Sequence, residues 1–353
     1  MISTRSPLCR LFTLGLLGLA LSSCIGLRLT VVDSAFRAPS NVAVYFTVDT
    51  ASGEPVGGLT ATDFRIYEDG QLVSEAESDQ TILNPEVAAE HYTLLLVDMS
   101  GSVVESDGVP ALQAAATELV AQVEGGSQRV AVYAFDGEEE IHQIVGFTTE
   151  GGASAGVARL GGFTPRDPST NLHGAVVAGL AVLDEAMAGS RTPLHFGTLV
   201  VFSDGSDRAA RVSRGDMNHA IDASPYDVFA IGVGSEIDEG TLGDVGRDGY
   251  VLVEDSAAIT EAFRQVGERI TLMTQRFYLL SYCSPARAGT HRVSVEAVTP
   301  SATGRATYEF DATGFGPNCN PATPPPFAVG TARLARTRPR AGRGSRITVD
   351  VSR

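Results

Sequence analysis

The sequence predicts an α/β protein: a doubly wound, mostly parallel six-stranded sheet with helices on both faces. A small β-sandwich-like module formed by the flanking N- and C-terminal segments completes it. Three observations lead there. From residue 91 to residue 275, apolar runs of strand length alternate with stretches of helical period, the pattern of a sheet covered on both sides. Residues 27 to 78 and 276 to 310 alternate apolar and polar side chains with no helical period, which suits a half-buried sheet. Two of the central apolar runs, Leu94 to Asp98 and Leu199 to Asp204, end in an aspartate beside serine and glycine.

In chain order, residues 1 to 23 place Arg5 and Arg10 ahead of a leucine-rich run from Leu11 to Leu21, too short to span a bilayer comfortably, and read as a secretory signal. Leu21-Ser22-Ser23-Cys24 resembles a bacterial lipobox, which implies that Cys24 is lipidated and becomes the mature N-terminus; ordinary signal cleavage is the alternative. A lipid-anchored protein of the bacterial cell envelope is expected, with Ile25 favouring the outer membrane. Acyl chains would hold such a protein stably on a membrane. Cys283 and Cys319 are then the remaining pair, either bridged in an oxidising compartment or free thiols.

Residues 24 to 85 form a β-rich module and linker, with strands expected at 27–32, 42–48, 64–67 and 71–74, the last two joined by an Asp69-Gly70 turn. It is a second binding module or a spacer. The α/β domain, 86 to 275, has strands expected at 92–97, 129–135, 141–147, 196–202, 226–233 and 249–253. Helices are expected at 109–123, 171–188 and 256–275, with shorter ones at 153–160 and 214–222. Residues 276 to 319 extend the β-module with strands at 276–283, 292–298 and 305–310. Pro317 to Pro326 reads as a linker by composition, and residues 320 to 353, with seven arginines against one aspartate, as a disordered tail.

The five residues between the second and third central strands allow only a hairpin, so the third strand runs antiparallel. Following the chain from the first strand then brings Asp98, Thr170 and Asp204 to the carboxyl edge of the sheet. Ligands of open α/β sheets bind there, at the switch point. Asp98-Met99-Ser100-Gly101-Ser102 presents a carboxylate and two hydroxyls at alternate positions on the loop leaving a buried strand, which is equally a hard-cation site and an ordinary turn.

Asp-x-Ser-x-Ser at 98–102, a distant Thr170 opening a helical pattern, and a distant Asp204 ending a strand together resemble the metal-ion-dependent adhesion site of the von Willebrand factor A domain family. All five positions match. The resemblance implies a metal set of Asp98, Ser100, Ser102, Thr170 and Asp204 that holds Mg²⁺, with Mn²⁺ or Ca²⁺ as alternatives. In the family the hydroxyls bind the ion directly, the aspartates act through water, and a partner protein's Asp or Glu completes the shell. It also implies switching at the last helix, 256–275. Gly57 to Gly70 resembles the β-rich leader of related bacterial secreted proteins. Asp207 and Glu138 to Glu140 are candidates for the same rim, or solvated loop charges.

The chain carries a formal charge of −16, and because residues 320 to 353 hold seven arginines against one aspartate the body before them is more acidic still, which argues against nucleic acid as a partner. Every one of its 26 basic residues is arginine, which excludes phosphate-loop and Schiff-base chemistry that depend on lysine. Gly152-Ala153-Ser154-Ala155-Gly156 matches the nucleophile-elbow pattern, yet Thr148 to Gly151 separate it from the preceding strand. Ile231-Gly232-Val233-Gly234 lacks the third glycine of a dinucleotide fingerprint. The expected function is therefore not enzymatic: cation-dependent binding of a protein partner, with a structural envelope scaffold as the alternative.

Overall fold

The computed structural model describes residues 26–83, 89–106, 108–149, 151–192, 194–255, 258–327 and 330–331. The signal segment, Cys24 and the arginine-rich stretch from 332 onward lie outside them.

The chain enters through β1 (Leu27–Arg37) and β2 (Asn41–Thr50), then β3 (Phe64–Glu68), β4 (Gln71–Leu72), the short α1 (Glu75–Ser78) and β5 (Thr81–Leu83). The α/β layer follows: β6 (Ala89–Asp98), α2 (Gly101–Glu105), α3 (Val109–Val123), β7 (Gln128–Phe135), β8 (His142–Thr148) and α4 (Gly152–Val157). It continues through α5 (Leu172–Ala188), β9 (Leu194–Ser203), α6 (Arg214–Ala223), β10 (Asp227–Val233), α7 (Glu239–Val245), β11 (Gly249–Val253) and α8 (Ile259–Gln275). The chain then returns to the β-module with β12 (Phe277–Cys283), β13 (Thr290–Val298) and β14 (Thr303–Asp311), and ends in β15 (Gly330–Thr331).

The central sheet has the order β11-β10-β9-β6-β7-β8. Its neighbours pair in parallel except β7 with β8, which the short hairpin makes antiparallel. Alternate residues of β6 explain the two layers: Leu95 and Val97 face a core shared with α3, α4 and α8, whereas Leu94 and Leu96 face one shared with α5, α6 and α7. A strand buried on both faces must be continuously apolar, and Leu94 to Val97 are all fully enclosed. Among the described residues no helix is long and apolar enough to cross a membrane.

The flanking segments build two antiparallel sheets, β1-β2-β12-β5 and β14-β13-β3-β4. The two enclose one core: Val42, Val44, Phe46 and Val48 from β2 meet Phe64 and Ile66 from β3 and Val293 and Val295 from β13. N- and C-terminal strands thus form a single sandwich, with β12 pairing directly with β2. The other face of β2 presents Ala43 and Tyr45 to a second cluster with Leu194, Phe277 and Phe327 at the amino edge of the central sheet. There Phe196 and Phe277 have ring centroids 4.4 Å apart. Arg276 and Asp49 form a buried ion pair at 2.9 Å alongside.

Residues 320 to 327 differ from the expected tail. A disulfide joins Cys283 to Cys319 with Cα atoms 5.7 Å apart. From there the chain runs along the β-module: the Asn41 amide donates to the carbonyls of Asn320 and Thr323, and Phe327 packs edge-on against Tyr45. β15 then pairs in parallel with the start of β9. The proline-rich composition that reads as a linker carries no sign of these anchoring contacts.

Candidate metal site

Three loops meet at the carboxyl edge of the central sheet. The first leaves β6. Asp98, fully enclosed, accepts the Ser100 N–H on Oδ1 at 2.9 Å, an Asx turn that bends the chain at the strand end. Ser100 then opens α2, and its hydroxyl lies 3.3 Å from that of Ser102. Gly101 between them has a reason to lack a side chain: a Cβ there would stand 3.0 Å from Pro168 Cβ and 3.2 Å from the Pro168 carbonyl oxygen. Its N–H donates to that carbonyl at 2.9 Å, which ties the first loop to the second.

The second loop carries Thr170, which is buried. The Thr170 carbonyl accepts the N–H groups of Arg208 and Ala209 from the third loop at 2.9 and 3.0 Å. A Cβ on Gly205 would lie 3.5 Å from Thr170 Oγ1, so the hydroxyl stands over the residue after Asp204. The third loop leaves β9 through Ser203 and Asp204. Ser102 Oγ donates to Asp204 Oδ1 at 2.9 Å and closes the triangle. All five sequence-predicted residues therefore sit on these three knitted loops. Ser102 is exposed and Asp204 half-buried, so the cluster opens to solvent on their side.

The electrostatics follow from burial. Desolvation pushes the Asp98 carboxyl up to about 7; the Ser203 hydroxyl opposes the shift and the Asp204 charge adds to it. Burial raises Asp204 as well, against the pull of Ser102. Two neighbouring carboxylates and three hydroxyls, all hard oxygen donors, form a set that a divalent cation would relieve of its unfavourable charge. The residues present fit such an ion.

Sequence reasoning missed two supporting residues. Ser203 Oγ donates to Asp98 Oδ2 at 2.6 Å and accepts the Gly205 N–H at 3.2 Å, which orients the carboxylate and shapes the third loop. Asp136, fully enclosed at the end of β7, accepts the Arg166 N–H on Oδ2 at 2.8 Å, while its carbonyl accepts the Asn171 N–H at 3.0 Å. It therefore grips both sides of the Thr170 loop. Neither role has a sequence signal, because the strand end at 203–205 draws attention to Asp204 alone and Asp136-Gly137 reads as part of a hairpin. Asp207, a candidate for the rim, turns inward: its carboxylate accepts the N–H groups of His173 and Ala210, both at 3.1 Å. Glu139 and Glu140 remain exposed.

A second group capable of coordinating a metal ion lies in the β7–β8 hairpin, where Asp136, Glu138 and His142 each bring a ligand atom within 4.8 Å of the others. Neither catalytic motif has its geometry. Gly152 to Gly156 lie in α4, where Ser154 Oγ donates to Glu124 at 3.1 Å, and Gly234, at φ +83°, closes a turn after β10.

No family model and no curated protein matches the chain. Among solved structures it is similar to a von Willebrand factor type A protein from Catenulispora acidiphila, with a TM-score of 0.46 and 12% identity over 83% of this chain and 75% of that one. The PilB minor pilin from Streptococcus sanguinis gives 0.40 and 12%, covering 70% and 78%. Proximal thread matrix protein 1 from the mussel byssus, with a zinc-occupied MIDAS motif, gives 0.42 and 12%, covering 58% and 49%. The chain thus spans about half the length of the mussel protein.

Proposed function

We propose that this chain is a bacterial envelope protein, lipid-anchored at Cys24 and placed at the outer membrane, whose α/β domain binds a partner protein through a divalent cation. Asp98, Ser100, Ser102, Thr170 and Asp204 hold the ion, Mg²⁺ by preference, with the three hydroxyls as direct ligands and the two aspartates acting through water. The observation that carries the reading is the Ser102 to Asp204 contact at 2.9 Å, which joins residues 102 positions apart at an open rim.

A cation there supplies uncompensated positive charge that attracts an incoming Asp or Glu carboxylate, because neutral hydroxyls cancel little of it. The chain's own residues prepare that encounter. Ser203 fixes the Asp98 carboxylate, Gly101 lets the Pro168 carbonyl approach, and Asp136 holds the Thr170 loop. The sandwich and the segment 320–327 that runs along it attach at the opposite edge of the sheet, away from the rim.

The test is a pull-down from detergent-solubilised envelope with the chain as bait, in Mg²⁺ and in EDTA, beside Asp98→Ala. A band captured only by the wild type in Mg²⁺ is expected. Equal capture in all three overturns the cation mechanism and favours a structural scaffold.

A further inference from the structure

We propose that Asp136, Glu138 and His142 form a second cation site, separate from the loops around Asp98, and that it takes a borderline ion such as Zn²⁺. The three come from a single hairpin. Asp136 and Glu138 alternate on the turn after β7, and His142 opens β8, where it pairs with Ala134 across the ladder. The imidazole is held against Phe163 with ring centroids 5.3 Å apart.

His142 Nε2 is the decisive atom. It is sealed from solvent and has no hydrogen-bond partner, although a polar atom in that position ordinarily finds one. It faces two carboxylates, with Asp136 Oδ1 at 4.0 Å and Glu138 Oε2 at 3.8 Å. Those distances are too long for hydrogen bonds. They come close to the ~3.4 Å between two ligand atoms that each sit ~2.1 Å from one tetrahedral ion. The two distances to His142 exceed that spacing by roughly half an ångström, and Glu138, with a third of its side chain exposed, has room to move toward it.

The other contacts leave ligand capacity free. Asp136 Oδ2 accepts the N–H groups of Arg166 and Asp167 at 2.8 and 3.5 Å, whereas Oδ1, the oxygen facing His142, accepts the Glu138 N–H at 2.8 Å and retains a lone pair. The Arg166 guanidinium touches Glu138 at 3.4 Å from a side chain that is two-thirds exposed and free to swing away. An imidazole with two carboxylates suits zinc and its neighbours, whereas the all-oxygen set around Asp98 suits Mg²⁺. The two places therefore select different ions. Because the Asp136 carbonyl holds Asn171 and the Glu138 carbonyl accepts the Asn171 amide at 2.7 Å, an ion in the hairpin also braces the loop that carries Thr170.

The test uses the full chain carrying Ser102→Ala, so that its result does not depend on the first site. The protein is stripped with a chelator and titrated calorimetrically with Zn²⁺ alone. One equivalent is expected, with affinity falling roughly tenfold or more on adding His142→Gln or Glu138→Gln, in line with the loss of one ligand. Co²⁺ in place of Zn²⁺ is expected to give d–d absorption that His142→Gln changes. Glu138→Gln, at a position with a third of its side chain exposed, carries the test if His142→Gln fails to fold. No zinc bound in the Ser102→Ala chain, or zinc bound with unchanged affinity in the added variants, overturns the proposal.

Discussion

The two edges of the central sheet are made by the same strands and filled by opposite chemistry. At the amino edge β6 and β9 begin among rings: Phe196, Phe277, Tyr45 and Phe327 seal the joint to the sandwich. At the carboxyl edge the same strands end in the enclosed Asp98 and Ser203, and the loops around them add the enclosed polar groups Ser100, Asp136, Thr170 and Asn171. Burying rings lowers free energy outright, whereas burying carboxylates and hydroxyls costs free energy unless each finds a partner. One edge is thus built for stability and the other tolerates a cost that a ligand can recover.

The largest expected effect lies at the amino edge. Phe277→Ala removes an almost fully enclosed ring and is expected to lower unfolding free energy by about 3–5 kcal/mol, with or without Mg²⁺. Urea denaturation in both conditions checks it; a loss that depends on Mg²⁺ would erase the distinction between the edges. Gly101→Ala is expected to cost less, about 1–3 kcal/mol, since the new methyl group crowds Pro168. Unlike Phe277→Ala, it is expected to weaken Mg²⁺ binding, read by calorimetry, because it pushes the first and second loops apart.

The smallest effect concerns pH. At the start of β6, burial pushes Glu90 up, but hydrogen bonds from Arg129, Ser190 and Tyr92 overcome that and bring its carboxyl down to about 2. A depressed carboxyl contributes stability above its unfolded value of about 4.5, and that stability is lost as pH falls toward 2. Melting temperature of the wild type is expected to decline over that window, and Glu90→Gln to flatten the decline. An unchanged acid limb in Glu90→Gln would assign it to other carboxylates.

The central fold was legible because its signals are local. Leu94 to Val97 are continuously apolar because both faces of β6 are covered, and the five-residue hairpin dictates an antiparallel β8. The helix α7 escaped, since Glu239-Gly240-Thr241 dilutes its apolar period with glycine and polar residues; the short α2 begins inside the Asp-x-Ser-x-Ser turn and ends three residues beyond it. The strap at 320–327 was read as tail because its anchors, Asn41 and Tyr45, lie some 280 residues away in sequence. Of the carboxyl-edge cluster, the five oxygen donors were legible from motif and topology. Ser203, Asp136 and His142 were not, because their meaning rests on which way a side chain points, and spacing carries no record of that.

The most direct measurement is a calorimetric titration of Mg²⁺ into the chelator-stripped chain, beside Ser102→Ala and Asp204→Ala. One Mg²⁺ per chain in the wild type, with binding lost or greatly weakened in both variants, is the predicted result. Absence of Mg²⁺ binding in the wild type, or equal binding in all three proteins, would contradict the assignment of the carboxyl edge as a cation site.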